Sequence, residues 1–160
     1  MGHQLTQQDI DKMEAEIEHR KLVVRKELLE AVKEARAQGD LSDNFEYYAA
    51  KREKNRNEGR IRYLDRMIRT ATIVEAQTAP DEVGIGDEII VEFEEDHETE
   101  SLRLVTTVAS DSLNNCVSIE APIGKSIRGH KVGERVYVEM GKNAGFYLCI
   151  KEIRKASKEH

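Results

Sequence analysis

The sequence predicts an α+β chain: an N-terminal antiparallel α-helical coiled-coil hairpin over residues 1–76, a linker over 77–86, and a mainly antiparallel β domain over 87–160. Three observations carry that prediction. Apolar residues recur by threes and fours through two long charged stretches on either side of Gly39. Pro80, Gly84 and Gly86 then break the helical period. Beyond them come five short strand-like runs separated by Asp, Asn and Gly turns.

The first helix is expected from about Thr6 to Gln38, with Thr6 as N-cap and Asp9 in the first turn. Ile10, Met13, Ile17, Val24, Leu28, Val32 and Ala35 form one narrow stripe, which fits a single partner helix. A rod of this length reaches about 50 Å at about 1.5 Å per residue. Gly39 suits the left-handed conformation that ends a helix, and Asp40 or Ser42 can cap the next, which resumes near Asp43. The second helix is expected to bury Phe45, Tyr48, Ile61, Leu64, Ile68 and Ile73, with weaker polar steps at Arg52, Asn55 and Gly59. Its short connection makes it antiparallel to the first. Strands are expected over Glu88 to Glu94, Ser101 to Val108, Cys116 to Ile119, Arg135 to Glu139 and Phe146 to Ile153. Pro122 suits the first turn of a short helix running to about Arg128.

Composition narrows the function classes. A chain of 160 residues that is 35% charged and 39% hydrophobic suits one medium domain or two small ones. It has no apolar run of the about 20 residues that span a bilayer and no signal-peptide pattern at its start, so a soluble, cytoplasmic protein is expected. Cys116 and Cys149 lie in apolar contexts and read as buried thiols, while the five histidines show no metal-ligand spacing. The net charge of −6 is unevenly distributed: residues 51–70 hold 8 basic and 3 acidic side chains, and residues 71–100 hold 11 acidic and none basic. The acidic stretch would repel a duplex, so any nucleic-acid contact should be local.

Asp40, Asp43 and Glu46 cluster at the turn between the helices. Carboxylates on a solvated turn can share a hard divalent cation such as Mg²⁺, which commonly takes only one or two protein oxygens, or they can simply cap the second helix and favour its dipole for about 0.5–1 kcal/mol each. Phe45 and Tyr47 can pack the turn or stack on a nucleotide.

The segment from Ala35 to Tyr47, reading ARAQGDLSDNFEY, resembles the tip signature of the Gre family of bacterial transcript cleavage factors, A-R-x-x-G-D-L-S/K-E-N-A-E-Y. Ala49 to Arg52 and Glu58 to Ile61 continue the resemblance. So do Ala121 to Ile127 and Gly133 to Val136, against S-P-I/L-G-K-A-L and G-D-x-V. The similarity spans nearly the whole chain in order. It implies an FKBP-like second domain and a monomeric factor whose coiled coil enters the secondary channel of bacterial RNA polymerase and meets the 3′ end of backtracked RNA. Asp40 and Asp43 would then act as the catalytic and metal-binding acids, holding Mg²⁺ jointly with the polymerase, which itself cleaves the RNA. Lys51, Arg52 and Arg56 would contact RNA phosphates, and Pro122, Ile123, Gly124, Lys125 and Ile127 would meet the polymerase. The last group can equally be a helix start and core packing.

Three departures stand out. Asp43 replaces the usual Glu, Phe45 the usual Ala, and Ala121 the usual Ser. The shortened acid retracts its carboxylate by roughly 1 Å, a displacement that can weaken cleavage. It also leaves open an inhibitory Gre-like paralogue that binds the channel without stimulating cleavage. A hairpin scaffold would give the acids no task, and a stand-alone nuclease would need more metal ligands than this chain offers.

Overall fold

The computed structural model describes residues 2–39, 44–76, 79–109 and 115–156. The chain divides into two compact units, one formed by Gly2 and residues 8–71, the other by residues 3–7 and the chain from Thr72 onward.

The first unit is the helical hairpin. Helix α1, Gln7–His19, runs through a π-helical turn, Arg20–Val24, into α2, Arg25–Ala37. The expected stripe is the buried one: Ile10, Met13 and Ala35 are buried, and Ile17, Val24, Leu28 and Val32 are half-buried. Gly39 has a φ of 124°, a conformation that favours glycine and ends the helix as expected.

Helix α3, Phe45–Thr70, returns antiparallel and buries Tyr47, Asn57, Ile61, Leu64 and Met67. This corrects the expected seam at both ends. Phe45 and Tyr48 are exposed, at 85% and 42%, and Ile73 lies beyond the helix at 58%. At about 100° per residue, Phe45 points about 160° away from Ile61, so the two cannot share one stripe. The seam instead passes through Tyr47 and the polar Asn57.

The second unit is built on a five-stranded sheet in the order β5-β4-β3-β7-β6. Its strands are β3 Glu88–Phe93, β4 Thr99–Val105, β5 Cys116–Ser118, β6 Arg135–Gly141 and β7 Ala144–Arg154. All pairs are antiparallel except β4 with β5. Alternation places Ile89, Val91, Leu102, Leu104, Val136, Val138, Leu148 and Ile150 on one face, where α4, Pro122–Ile127, adds the fully buried Ile127. The expected strand to Val108 stops at Val105, and Thr107–Ala109 form a 3₁₀ turn.

Two features have no counterpart in the sequence reading. Strands β1, Gln4–Leu5, and β2, Thr72–Ile73, pair in parallel. Residues 79–86, expected as linker, belong to the β unit: Val83 is fully buried in its core and its N–H donates to the His130 carbonyl at 2.9 Å. Cys116 and Cys149 form no disulfide and are half-buried. Among the described residues, no helix is long and apolar enough to cross a membrane.

Candidate functional site

The turn of the hairpin is held by Asn44. Its Oδ1 accepts the Tyr47 N–H at 3.0 Å and so caps α3, while its Nδ2 donates to the Ala35 carbonyl at 2.6 Å. Ala35 O also accepts the Gln38 N–H at 3.3 Å. One side chain therefore satisfies an orphan donor at the start of α3 and gives a carbonyl in the last turn of α2 a second donor. The cap is Asn44, not the expected Asp40 or Ser42, because the helix starts at Phe45, beyond reach of a cap drawn from the earlier residues. Asp40, Asp43 and Ser42 lie outside the described residues.

Behind the turn stands a collar of cations. The Arg36 guanidinium lies 5.7 Å from the centroid of the Tyr47 ring and the Lys51 ammonium 6.0 Å from it, within reach of cation–π attraction. A hydrogen bond from Arg36, followed by the charge of Lys51, holds the Tyr47 hydroxyl below the usual tyrosine range. Lys51 and Arg52 are exposed, and Arg56 is exposed while donating to Glu53 at 2.7 Å. The three expected phosphate contacts thus share one solvated stretch of α3, and such a surface pair is weak enough to yield to an anion. Glu46 is exposed in the first turn of α3, where its charge suits the dipole.

Farther along the hairpin, polar residues join the two arms. The Asn57 amide, 3% exposed, donates to the Arg20 carbonyl at 3.3 Å, and Arg20 Nη1 donates back to Asn57 Oδ1 at 3.0 Å. Glu16 accepts from Arg20 at 2.7 Å and from Arg60 at 2.9 and 3.3 Å. The Arg60 hydrogen bond, with help from Arg20 and against a desolvation cost, pulls the Glu16 carboxyl down to about 2. Arg25 and Glu58 form a bidentate pair at 2.9 and 2.7 Å. These links set the register of the two arms where the apolar seam is thinnest.

In the β unit the five expected polymerase-facing residues separate by burial. Gly124 and Ile127 are buried, Ile123 is half-buried against the core, and Pro122 and Lys125 are exposed. Gly124 is a close-approach position: a Cβ there would collide with the Ser118 carbonyl. Among the described residues, no group of three or more His, Cys, Asp and Glu side chains could hold a metal ion.

Comparison with known proteins places this architecture. A family described as transcription elongation factor, N-terminal, matches residues 3–73, and one described as transcription elongation factor, GreA/GreB, C-term, matches residues 77–155. The chain belongs to the GreA/GreB family of transcription elongation factors. It is 41% identical to the transcription elongation factor GreA of Caldanaerobacter subterraneus over 94% of this chain and 96% of that protein. It is 36% identical to GreA of Acholeplasma laidlawii, again over 94% and 96%. Among solved structures it is similar to the GreA factor homolog 1 protein of Thermus thermophilus, at 24% identity and a TM-score of 0.44 over 97% of this chain and all of that one.

Three contributors of this GreA/GreB chain lie outside the expected site. Asn44 was legible as a good capping residue, but Asp40 and Ser42 compete for the same role. Asn57 lies off the expected stripe, whose polar steps are Arg52, Asn55 and Gly59, and Glu16 reads as one acid among many. Nothing local distinguishes the latter two, because their partners lie 37 and 44 residues away.

Proposed function

We propose that this elongation factor inserts its helical hairpin into the secondary channel of bacterial RNA polymerase and stimulates the polymerase to cleave backtracked RNA, rescuing arrested complexes. The observation that most supports the reading is the Asn44 clasp between Ala35 and Tyr47. It joins the ends of two long helices, and the acids that match the family signature, Asp40 and Asp43, lie in the sequence between those helices.

In this reading the chain is not itself an enzyme. Asp40 and Asp43 present hard oxygen ligands, a donor set that fits Mg²⁺ when the polymerase supplies the remainder and that holds none tightly alone. Bound there, such an ion supplies charge stabilisation to an in-line displacement at phosphorus. The carboxylates also orient the attacking water. Lys51, Arg52 and Arg56 engage phosphates of the extruded RNA 3′ segment, giving salt-sensitive binding with little sequence preference. Pro122 and Lys125 form the exposed polymerase contact of α4, while Ile123, Gly124 and Ile127 hold that helix in place. The factor works as a monomer in the cytoplasm, where the polymerase is.

The test adds purified protein to backtracked elongation complexes with Mg²⁺ and follows labelled RNA. Cleavage that disappears with Asp40→Ala and Asp43→Ala, while polymerase binding survives, is the expected result. Binding without any cleavage by the unaltered protein would sink the proposal.

A further inference from the structure

Among the described residues, Phe45 is the most exposed of the large apolar side chains, at 85%, and it stands at the first position of α3, directly after the Asn44 cap. That position requires no aromatic. Helix propensity favours Ala or a straight-chain residue there, and an exposed phenyl ring contributes little to the fold. Its neighbours on the helix are informative. At about 100° per residue, Arg52, Arg56 and Tyr63 lie within about 20° of the direction of Phe45, and Tyr48 lies about 60° from it. Tyr48 and Tyr63 are exposed at 42% and 40%. This face thus carries two aromatics, then two guanidinium groups, then a third aromatic over about 27 Å of helix, from Phe45 to Tyr63.

We infer that Phe45 stacks on a base of the extruded RNA where the strand passes this face; the inference rests on the proposed engagement of that RNA by Lys51, Arg52 and Arg56. Single strands are held by aromatic faces on which bases stack together with cations that follow the phosphates, a combination that tolerates any sequence. The occupant is argued from charge. Residues 51–70 carry 8 basic and 3 acidic side chains, which favours a polyanion over an apolar protein surface. The ion pair of Arg56 with Glu53 is 74% and 53% exposed and therefore easily exchanged for a phosphate. Phe45 acts as a positioning residue: it anchors the base and so fixes the strand relative to the neighbouring acids.

The experiment uses full-length protein and backtracked complexes whose extruded RNA carries a fluorescent purine analogue, with cleavage measured in the same reactions. Stacking predicts a fluorescence change with the unaltered protein. Phe45→Leu should lose that change and raise the concentration for half-maximal cleavage at least fivefold, while Phe45→Tyr restores both. Thermal unfolding of each variant should match the parent, since the side chain is exposed. No fluorescence change with the parent, or an undiminished one with Phe45→Leu, overturns stacking by Phe45. The parent's cleavage is a separate readout: cleavage without a fluorescence change leaves the proposed function standing and removes only Phe45 from it.

Discussion

The Asn44 side-chain amide donates to the main-chain carbonyl of Ala35 at 2.6 Å, nine residues earlier in the chain, while its oxygen caps α3 through the Tyr47 N–H at 3.0 Å. Removing both bonds with Asn44→Ala should lower stability by about 1–2 kcal/mol. Asn44→Asp keeps the acceptor and loses the donor, so its loss should be smaller. Denaturant melts of the three proteins check the order, and equal losses for Ala and Asp would place all the effect in the Ala35 bond.

Glu16 gives the hairpin a pH dependence of known sign. Its carboxyl is lowered from 4.5 to about 2, chiefly by the Arg60 hydrogen bond. The stabilisation is fully present above pH 4.5 and is lost as the pH falls from there towards 2. Because Glu16 is 33% exposed, solvent screening limits it to about 1 kcal/mol. The stability gap between the parent and Glu16→Gln, read by urea unfolding, should be largest at neutral pH and close as the solution is acidified.

Gly124 lies where any Cβ would collide with the Ser118 carbonyl and crowd Leu104 Cδ1 at 3.0 Å. Backbone cannot yield as a side-chain tip can, so Gly124→Ala should cost about 2–3 kcal/mol in the β unit. Calorimetry on the full chain measures it. An unchanged melting profile would mean that α4 can move off β5 freely.

Asp43→Glu restores one methylene and extends the carboxylate by roughly 1 Å. If the acids act as proposed, this variant should raise the cleavage rate on backtracked complexes several-fold without changing polymerase affinity. A rate that falls instead would show that the rest of the tip is fitted to the shorter acid.

How much of the structure could be read in advance follows the range of the interactions. The stripe from Ile10 to Ala35 and the five strands rest on local periods, and both emerge within a few residues of expectation. The α3 seam misled because aromatic residues look like core, yet Phe45 and Tyr48 are in the open while Asn57 is buried. The π turn at Arg20–Val24 is equally hidden from local pattern. Its Arg20 carbonyl accepts the Arg25 N–H and also the Asn57 amide from the opposite arm, so the irregularity has a partner 37 residues distant. Strands β1 and β2, at two residues each, are too short to show any period. At the candidate site, the basic stretch was accessible from composition, whereas the division of α4 into exposed and buried members required the sheet beneath it.

The parallel pairing of Gln4–Leu5 with Thr72–Ile73 makes the hairpin an insertion in the β unit, not a preceding domain. After Gly2, the polypeptide crosses between the units twice, following Gln7 and preceding Thr72. A single protease cut at either crossing would leave the arm still covalently attached through the other. Grafting the arm from one relative to another therefore calls for two splice points, one after Leu5 and one before Thr72, and a truncation that removes the first few residues would strip β2 of its strand partner even though every helix and all five strands of the larger sheet remained encoded.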